Sequence, residues 1–221
     1  VTEAGADDEL IVKTSSADPS GTTLQLEDDS KSDWYNVLTF DLDTDDSVND
    51  IELTTIVLTV YTPYATSTYG LLVDDAELVI DGVTIDDVTV STTTSATTTL
   101  TFDVDGDVTI DAGDRVAAEL NLKFKALAPE FEGATVQAEV TSAQADLIEA
   151  EGADDLAGGQ LSGAAQGDSH TLRTAGVNVP FAAYEIEGGG VHFTWVTPPN
   201  DVAVAATLTT SRRTDALSIP L

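Results

Sequence analysis

Apolar and polar residues alternate at every second position over long stretches of this chain, and this pattern restricts the possible folds more than any other feature. It is clearest at residues 37–43, 77–81, 99–104 and 119–124. Successive side chains of a β-strand point to opposite faces, so each of these segments has one face for a core and one for solvent. Val, Ile, Thr, Phe and Tyr, which are frequent in strands, dominate them. The sequence therefore predicts an all-β fold.

Asp-Gly and Gly-Asp steps separate the predicted strands, for example at Asp81-Gly82 and Asp105-Gly106-Asp107. Such steps are typical of tight hairpins, because glycine accepts positive φ without strain. Many short strands at this spacing indicate an antiparallel β-sandwich of the Ig-like or jelly-roll type. Further strands are predicted at residues 9–14, 22–26, 51–61, 83–90, 107–110, 135–141, 169–173, 190–196 and 201–209.

One segment, residues 143–156, has a helical composition, but Gly152 interrupts it and predicts a loop or a single turn. A domain boundary is expected near Gly176. Residues 1–176 then form the sandwich domain, and residues 177–221 form a C-terminal β extension that is too short to hold a core of its own. The extension either completes the same sandwich or pairs with a neighbouring subunit.

Charge and composition exclude several classes of function. With 8 Lys and Arg against 40 Asp and Glu, the formal net charge is −32, and the largest basic cluster is Arg212-Arg213. Binding to nucleic acid or to an anionic membrane is therefore not expected. The longest uncharged stretch, residues 53–73, carries Pro63, Gly70 and many threonines, so it does not predict a membrane-spanning helix. The chain has no cysteine, which excludes disulfides, thiolate nucleophiles and Cys-based metal sites.

The excess of acids has two physical explanations, and both stay open at this point. An acidic coat remains hydrated in strong salt, where screening removes its self-repulsion, as in a halophilic protein. Alternatively, bound divalent cations neutralise clusters of carboxylates. The chain starts at Val1 and not at Met, which is the pattern of an exported product, so we expect an extracellular or cell-surface location.

The order of motifs resembles the Ig-like β-sandwich modules of bacterial and archaeal surface-layer and extracellular appendage proteins. The resemblance covers roughly residues 10–176, and the extension after Gly176 departs from it. It implies a sandwich fold at the cell surface and carries no catalytic signature. The motifs are SADP and LQL within residues 16–26, DWYNVLTFDL (33–42), AELVIDG (76–82), LTF (100–102), VTIDAGD (108–114), GATVQA (133–138), IEAEG (148–152) and LSGA (161–164).

Alternating carboxylates suggest a calcium site, with ligands at Asp103, Asp105, Asp107, Asp111 and Asp114. Oxygen ligands at such spacing are able to converge on a hard cation. The segment is not an EF-hand loop, because Val108 stands where that loop needs glycine. The competing interpretation is a hairpin turn with exposed acids. The same two interpretations apply to a second cluster, which consists of Asp41, Asp43, Asp45, Asp46 and Asp50.

Other candidate sites have simpler explanations. Gly167-Asp168-Ser169-His170 is superficially similar to a hydrolase nucleophile block, but neighbouring side chains in a strand point to opposite faces, and no enzyme is predicted. Tyr61, Tyr64 and Tyr69 form either an aromatic binding platform or packing at the end of the sandwich. Trp34 and Trp195 are expected to cover the core or a sheet.

Two hypotheses for function follow. The first is a structural subunit that polymerises with copies of itself into an extracellular filament or surface layer, through β-edge or donor-strand contacts. Its contact residues are predicted to be Val202, Val204, Thr207 and Leu208 in the C-terminal segment and Leu10 and Val12 near the start. The alternative is a monomeric carbohydrate-binding or adhesive module of a larger surface protein, stiffened by Ca²⁺, with cell-surface glycans as its ligands.

Overall fold

The computed structural model describes residues 7–64 and 66–174, together with the backbone of Tyr184–Glu187 and Gly190–Phe193. The chain divides into two units, Val1–Gly176 and Val177–Leu221. In the second unit, β15 (Tyr184–Glu187) and β16 (Gly190–Phe193) form an antiparallel hairpin. The predicted strand 190–196 is thus described only over its first residues, and the predicted strand 201–209 lies outside the described residues.

The first unit is built from short strands and two single-turn α-helices, α1 (Tyr69–Leu72) and α2 (Ser142–Ala145). Segment 143–156, for which a loop or a single turn was predicted, begins with the turn α2, but it also contains the short strand Glu149–Glu151, which was not predicted. A capping box between Thr141 and Gln144 fixes its start. The strands are β1 (Leu10–Thr14), β2 (Thr23–Leu26), β3 (Trp34–Asp43), β4 (Ile51–Tyr61), β5 (Val73–Ile80), β6 (Val83–Ile85), β7 (Val88–Val90), β8 (Thr97–Ile110), β9 (Arg115–Phe124), β10 (Thr135–Val140), β11 (Glu149–Glu151), β12 (Leu161–Gly163), β13 (Ala165–Gln166) and β14 (His170–Thr174).

These strands form two sheets that pack face to face, which confirms the predicted all-β sandwich. The first sheet has the order β12-β1-β3-β9-β5-β6. The second has the order β2-β14-β10-β4-β8-β7, with β11 beside β4 and β13 beside β10. None of the helices in the described part of the chain is long and apolar enough to span a membrane.

The core lies between the sheets and follows the alternation in the sequence. In β8, Leu100, Phe102 and Val104 are buried, whereas the residues between them are partly or fully exposed. Phe40 from β3 and Phe124 from β9 are fully buried in the same cluster. Burial of an apolar side chain contributes about 1.5–3 kcal/mol, so this shared core is the main source of stability.

Two strand pairs are parallel, so the sheets are mixed and not wholly antiparallel as predicted. β1 pairs with β12 in the first sheet, and β2 pairs with β14 in the second. The physical reason is the path of the chain. The segment from β1 to β2 and the segment from β12 to β14 run side by side from the first sheet to the second, so their strands pair in parallel. Hydrophobic alternation reports which face of a strand is buried, but it contains no information about strand direction.

Two predictions of local structure were wrong. Asp105 and Gly106 both have positive φ, but they lie in a bulge inside the continuous strand β8, where residues 104–107 are opposite Thr54 alone, and not in a hairpin turn between two strands. The bulge lies between the pairs Leu53–Val108 and Thr55–Asp103, so the predicted strand 107–110 is the end of β8. The predicted strand 83–90 is split, because β6 belongs to the first sheet and β7 to the second.

Candidate functional site

The five predicted calcium ligands lie on exposed positions and do not converge. Asp103, Asp105 and Asp107 are exposed on β8, and Asp111 and Asp114 lie in the turn that leads to β9. Among the described residues, no group of three or more His, Asp or Glu side chains is placed to hold a metal ion. Calcium binding therefore stays a prediction of the sequence without a built site.

The five acids of the second cluster differ in burial, and Asp43 is the buried one among them. Asp43 is fully buried, and its Oδ2 accepts hydrogen bonds from Lys13 Nζ at 2.7 Å and Arg115 Nε at 2.5 Å. Its Oδ1 accepts one from the backbone N–H of Asp45 at 2.9 Å. Burial acts to raise the pKa of Asp43, but these hydrogen bonds and the charge of Lys13 outweigh it and hold the pKa below the ordinary value.

Asp8 is a second buried carboxylate, and the sequence offered no signal that would distinguish it from its acidic neighbours. It accepts hydrogen bonds from Asn49 N, Asn49 Nδ2 and Ala153 N at 2.9–3.1 Å. Burial acts to raise its pKa, but these bonds hold the pKa below its ordinary value. A Cβ on Gly152 would overlap Oδ2 of Asp8, so that position needs glycine. Asp8 thus connects three distant segments, and both of its carboxylate oxygens are occupied by hydrogen bonds within the protein.

The three tyrosines do not form a common platform. The Tyr61 hydroxyl donates to Glu139 Oε1 at 2.5 Å, and the Tyr64 hydroxyl donates to the carbonyl of Glu132 at 3.1 Å. Tyr69 is buried, and its burial, with the nearby charge of Asp75, raises its pKa above the ordinary value. This arrangement favours packing at the end of the sandwich. Trp34 lies on the sheet surface under Lys123 Nζ, and Trp195 lies outside the described residues.

Ser169 and His170 point in opposite directions, as their adjacent positions predict. Ser169 is exposed, whereas His170 is fully buried on the core side of β14. Neither ring nitrogen of His170 has a hydrogen-bond partner among the described residues. This arrangement gives Ser169 no base from its neighbour. It also leaves His170 as a polar side chain whose burial costs about 1–3 kcal/mol without compensation.

We expect His170→Leu to raise the free energy of unfolding by about 1–2 kcal/mol, because it removes two unpaired buried nitrogens at similar volume. Thermal unfolding followed by circular dichroism would measure the gain, which corresponds to a few degrees in Tm. Thr171→Leu, on the half-exposed side of the same strand, is the control and should bring no such gain. A lower Tm for His170→Leu would contradict this expectation and would mean that the buried imidazole forms a stabilising hydrogen bond.

The predicted subunit contacts lie partly in the core. Leu10 and Val12 are buried, and β1 is paired on one side with β3 and on the other with β12. In this arrangement β1 is an interior strand and offers no open edge to a neighbour. The sequence pattern could not predict this, because it does not distinguish an edge strand from a central one. The other four contact residues, Val202, Val204, Thr207 and Leu208, lie outside the described residues.

Within the described part of the first unit, the two sheet orders end at β12 and β6 and at β2 and β7, and the short strands β11 and β13 each pair with one strand only. The edge of β2 is partly covered, because the Tyr35 hydroxyl donates to the outward carbonyl of Gln25 at 2.5 Å. The edge of β7 is open. Asp87 and Ser91 bond to β8, through Asp103 N–H to Asp87 O and Ser91 N–H to Thr99 O. By alternation, Val88 and Val90 direct their N–H and C=O groups away from β8.

A cleft with a cavity of about 250 Å³ lies beside this open edge, between β7 and the first half of β5. β6 covers only Leu78–Ile80, so residues 73–77 of β5 have no strand beside them on this side within the described residues. Val73, Ala76, Val88 and Val90 supply much of the apolar lining, and Asp74 and Asp75 add two acids. This cleft, which we call the β5–β7 cleft, is a place where backbone groups and apolar side chains are both open to an added strand.

Comparisons with known proteins give no family. No protein-family model matches the chain, and no curated protein matches it. Among solved structures, one similar chain is described as "AvmM Catalyzes Macrocyclization in Alchivemycin A Biosynthesis", and the match covers 78% of this chain and 92% of that chain. The two share 13% sequence identity and a TM-score of 0.33. A similarity this weak assigns neither a family nor an activity to this chain.

Proposed function

We propose that this chain is a structural subunit that assembles with copies of itself, through its sheet edges, into an extracellular filament or surface layer. The observation that carries the proposal is the open edge of β7, where Val88 and Val90 direct backbone donors and acceptors outward beside an apolar cleft. Such an edge is a template for pairing with another chain. The role is structural and involves no reaction.

The acidic surface determines when such assembly takes place. The formal net charge of −32 makes two copies repel each other at low ionic strength. The screening length is about 10 Å at 0.1 M salt and about 3 Å at 1 M, so the repulsion between exposed charges falls steeply over this range. Salt therefore acts as the condition that permits edge pairing, without adding any contact of its own.

We expect the full chain to be monomeric in 0.05 M NaCl and to form ordered polymers in molar NaCl, because only the second condition removes the repulsion. Light scattering coupled to size exclusion, with negative-stain electron microscopy, would detect the change. A parallel series in CaCl₂ and in EDTA tests the predicted calcium, which would add an increase in Tm that the chelator reverses. A 23 kDa monomer in every condition would contradict the proposed function and favour the monomeric surface module.

A further inference from the structure

The β5–β7 cleft has the features of a receptor for one extended segment, and the inference drawn from it depends on the proposed self-assembly. We infer that the cleft of one copy binds residues 202–209 of a second copy, which add a strand beside β7. Three independent features support it, namely the open backbone of β7, the apolar face of residues 202–209 and the charge around the cleft.

The edge strand β7 has backbone groups that are open to a further strand. Val88 and Val90 direct their N–H and C=O groups outward, and no described residue bonds to them. The side chains of the same two residues line the cleft, whereas Thr89 is exposed on the opposite face. A strand added here would therefore place every second side chain in the cleft, next to Val88 and Val90.

The proposed occupant, residues 202–209, has an apolar residue at every second position. Residues 202, 204, 206 and 208 are Val, Val, Ala and Leu, so an extended segment presents them on one face. Thr207, which the sequence placed among the contacts, falls on the other face. A volume of 250 Å³ corresponds to about eight water molecules at about 30 Å³ each, which is room for small side chains such as Val and Ala.

The charges around the cleft favour this segment over the rest of the chain. The rim carries Asp74 and Asp75, and the exposed acids Asp86 and Asp87 precede β7. Asp74 pairs with Lys31 at 2.8 Å and Lys125 also lines the cleft, so the four acids still outnumber the two cations. Most of the chain would be repelled by this rim. Residues 188–214 contain a single acid, Asp201, and they hold Arg212 and Arg213, the one pair of adjacent basic residues in the chain. Residues 202–209 themselves are uncharged, and Arg212 and Arg213, which follow them, bring positive charge to a rim that is acidic overall.

Cysteine cross-linking tests the inference cleanly, because the chain has no cysteine of its own. Full-length Val90→Cys and full-length Val204→Cys are mixed under mild oxidation in the salt that supports assembly. We expect a disulfide-linked dimer of the two variants, in about tenfold higher yield than with the matched control, Thr89→Cys mixed with Val204→Cys. Equal yields from the two mixtures would overturn the inference.

A second pair of variants measures assembly directly. Val90→Arg places a long charged side chain in the cleft and should raise the protein concentration needed for assembly by about tenfold, whereas Thr89→Arg adds the same charge on the exposed face and should leave it nearly unchanged. Thermal unfolding confirms that both variants are folded. Assembly of Val90→Arg at the concentration that suffices for the unsubstituted chain would overturn the inference.

The outcomes separate the inference from the proposed function. Polymers without the specific cross-link mean that copies assemble through another edge, so the inference fails and the proposed function survives. The absence of polymers in any salt contradicts the proposed function itself. If a chain that carries both Val90→Cys and Val204→Cys closes a disulfide within a single copy at high dilution, the occupant is the same chain's segment, which overturns the choice of a second copy.

Discussion

Replacing Gly163 by alanine is expected to destabilise the sandwich by more than about 3 kcal/mol. Gly163 ends β12, has a φ of +93°, and lies opposite Val12 in the parallel pair β1–β12. An added Cβ would overlap the carbonyl oxygen of Val12, which accepts a hydrogen bond from Ala164 N–H at 3.0 Å. The change therefore combines the cost of a left-handed conformation, about 1–2 kcal/mol, with a clash against backbone that cannot move aside cheaply.

Gly82→Ala is the matched control for this effect. Gly82 has a similar φ of +80°, but a Cβ there would meet nothing within 4 Å. We expect it to cost only the conformational part, about 1–2 kcal/mol. Urea unfolding of the two variants would measure the difference between conformational and steric costs. Equal losses at both positions would show that the β1–β12 pair can open at little cost.

Replacing Asp43 by asparagine is expected to lower the free energy of unfolding by about 3 kcal/mol at neutral pH. The carboxylate is fully buried and is shared by Lys13 and Arg115. Neutralising it leaves Lys13 without its carboxylate partner, leaves Arg115 with only Asp45 at 3.7 Å, and weakens three hydrogen bonds. Breaking a buried ion pair from one side typically costs about 3–5 kcal/mol, and the partial exposure of both cations places this case at the lower end.

The effect of this substitution should depend on pH in a defined direction. The pKa of Asp43 lies below its ordinary value of 3.8, so its carboxylate stabilises the folded state fully above about pH 5. That contribution is lost as the pH falls through the lower, folded-state pKa. The stability difference between the unsubstituted chain and Asp43→Asn should therefore be constant from pH 8 to about pH 5 and should shrink toward zero in stronger acid.

Asp41→Asn provides the comparison, because Asp41 lies two residues earlier on β3, is only half-buried and takes part in no ion pair among the described residues. We expect a change within about 0.5 kcal/mol at all pH values. Chemical unfolding at several pH values measures both variants. A loss for Asp41→Asn as large as that for Asp43→Asn would mean that the general acidity of the surface, and not the specific pair, sets the effect.

The sequence predicted the strands well where one period-2 pattern belongs to one strand. β5 and β9 show this, since their buried residues are the apolar positions of the alternation. It failed at residues 83–90, which were predicted as one strand although Asp86-Asp87 interrupts the alternation at the point where the chain passes from one sheet to the other. It also failed at Asp105-Gly106, because positive φ serves a bulge as well as a hairpin.

The site could not be predicted because it depends on pairings that a single sequence does not contain. Lys13 and Arg115 are 30 and 72 positions from Asp43, and nothing in the local sequence distinguishes Asp43 from the four other acids of its cluster. The β5–β7 cleft is similar. Its apolar lining is visible as ordinary strand residues, but the short reach of β6, which leaves residues 73–77 of β5 uncovered, is a property of the sheet order.

The parallel pairs β1–β12 and β2–β14 have a consequence for biosynthesis. Strands formed within the first 26 residues wait for partners that are translated only at residues 161–174. Contacts between such distant segments form slowly, because a long loop must close before they bring any gain. Until residues 161–174 are translated, the nascent sandwich lacks β12 beside β1 and β14 beside β2. Premature release from the ribosome before residue 161 would therefore yield a chain that cannot complete its fold.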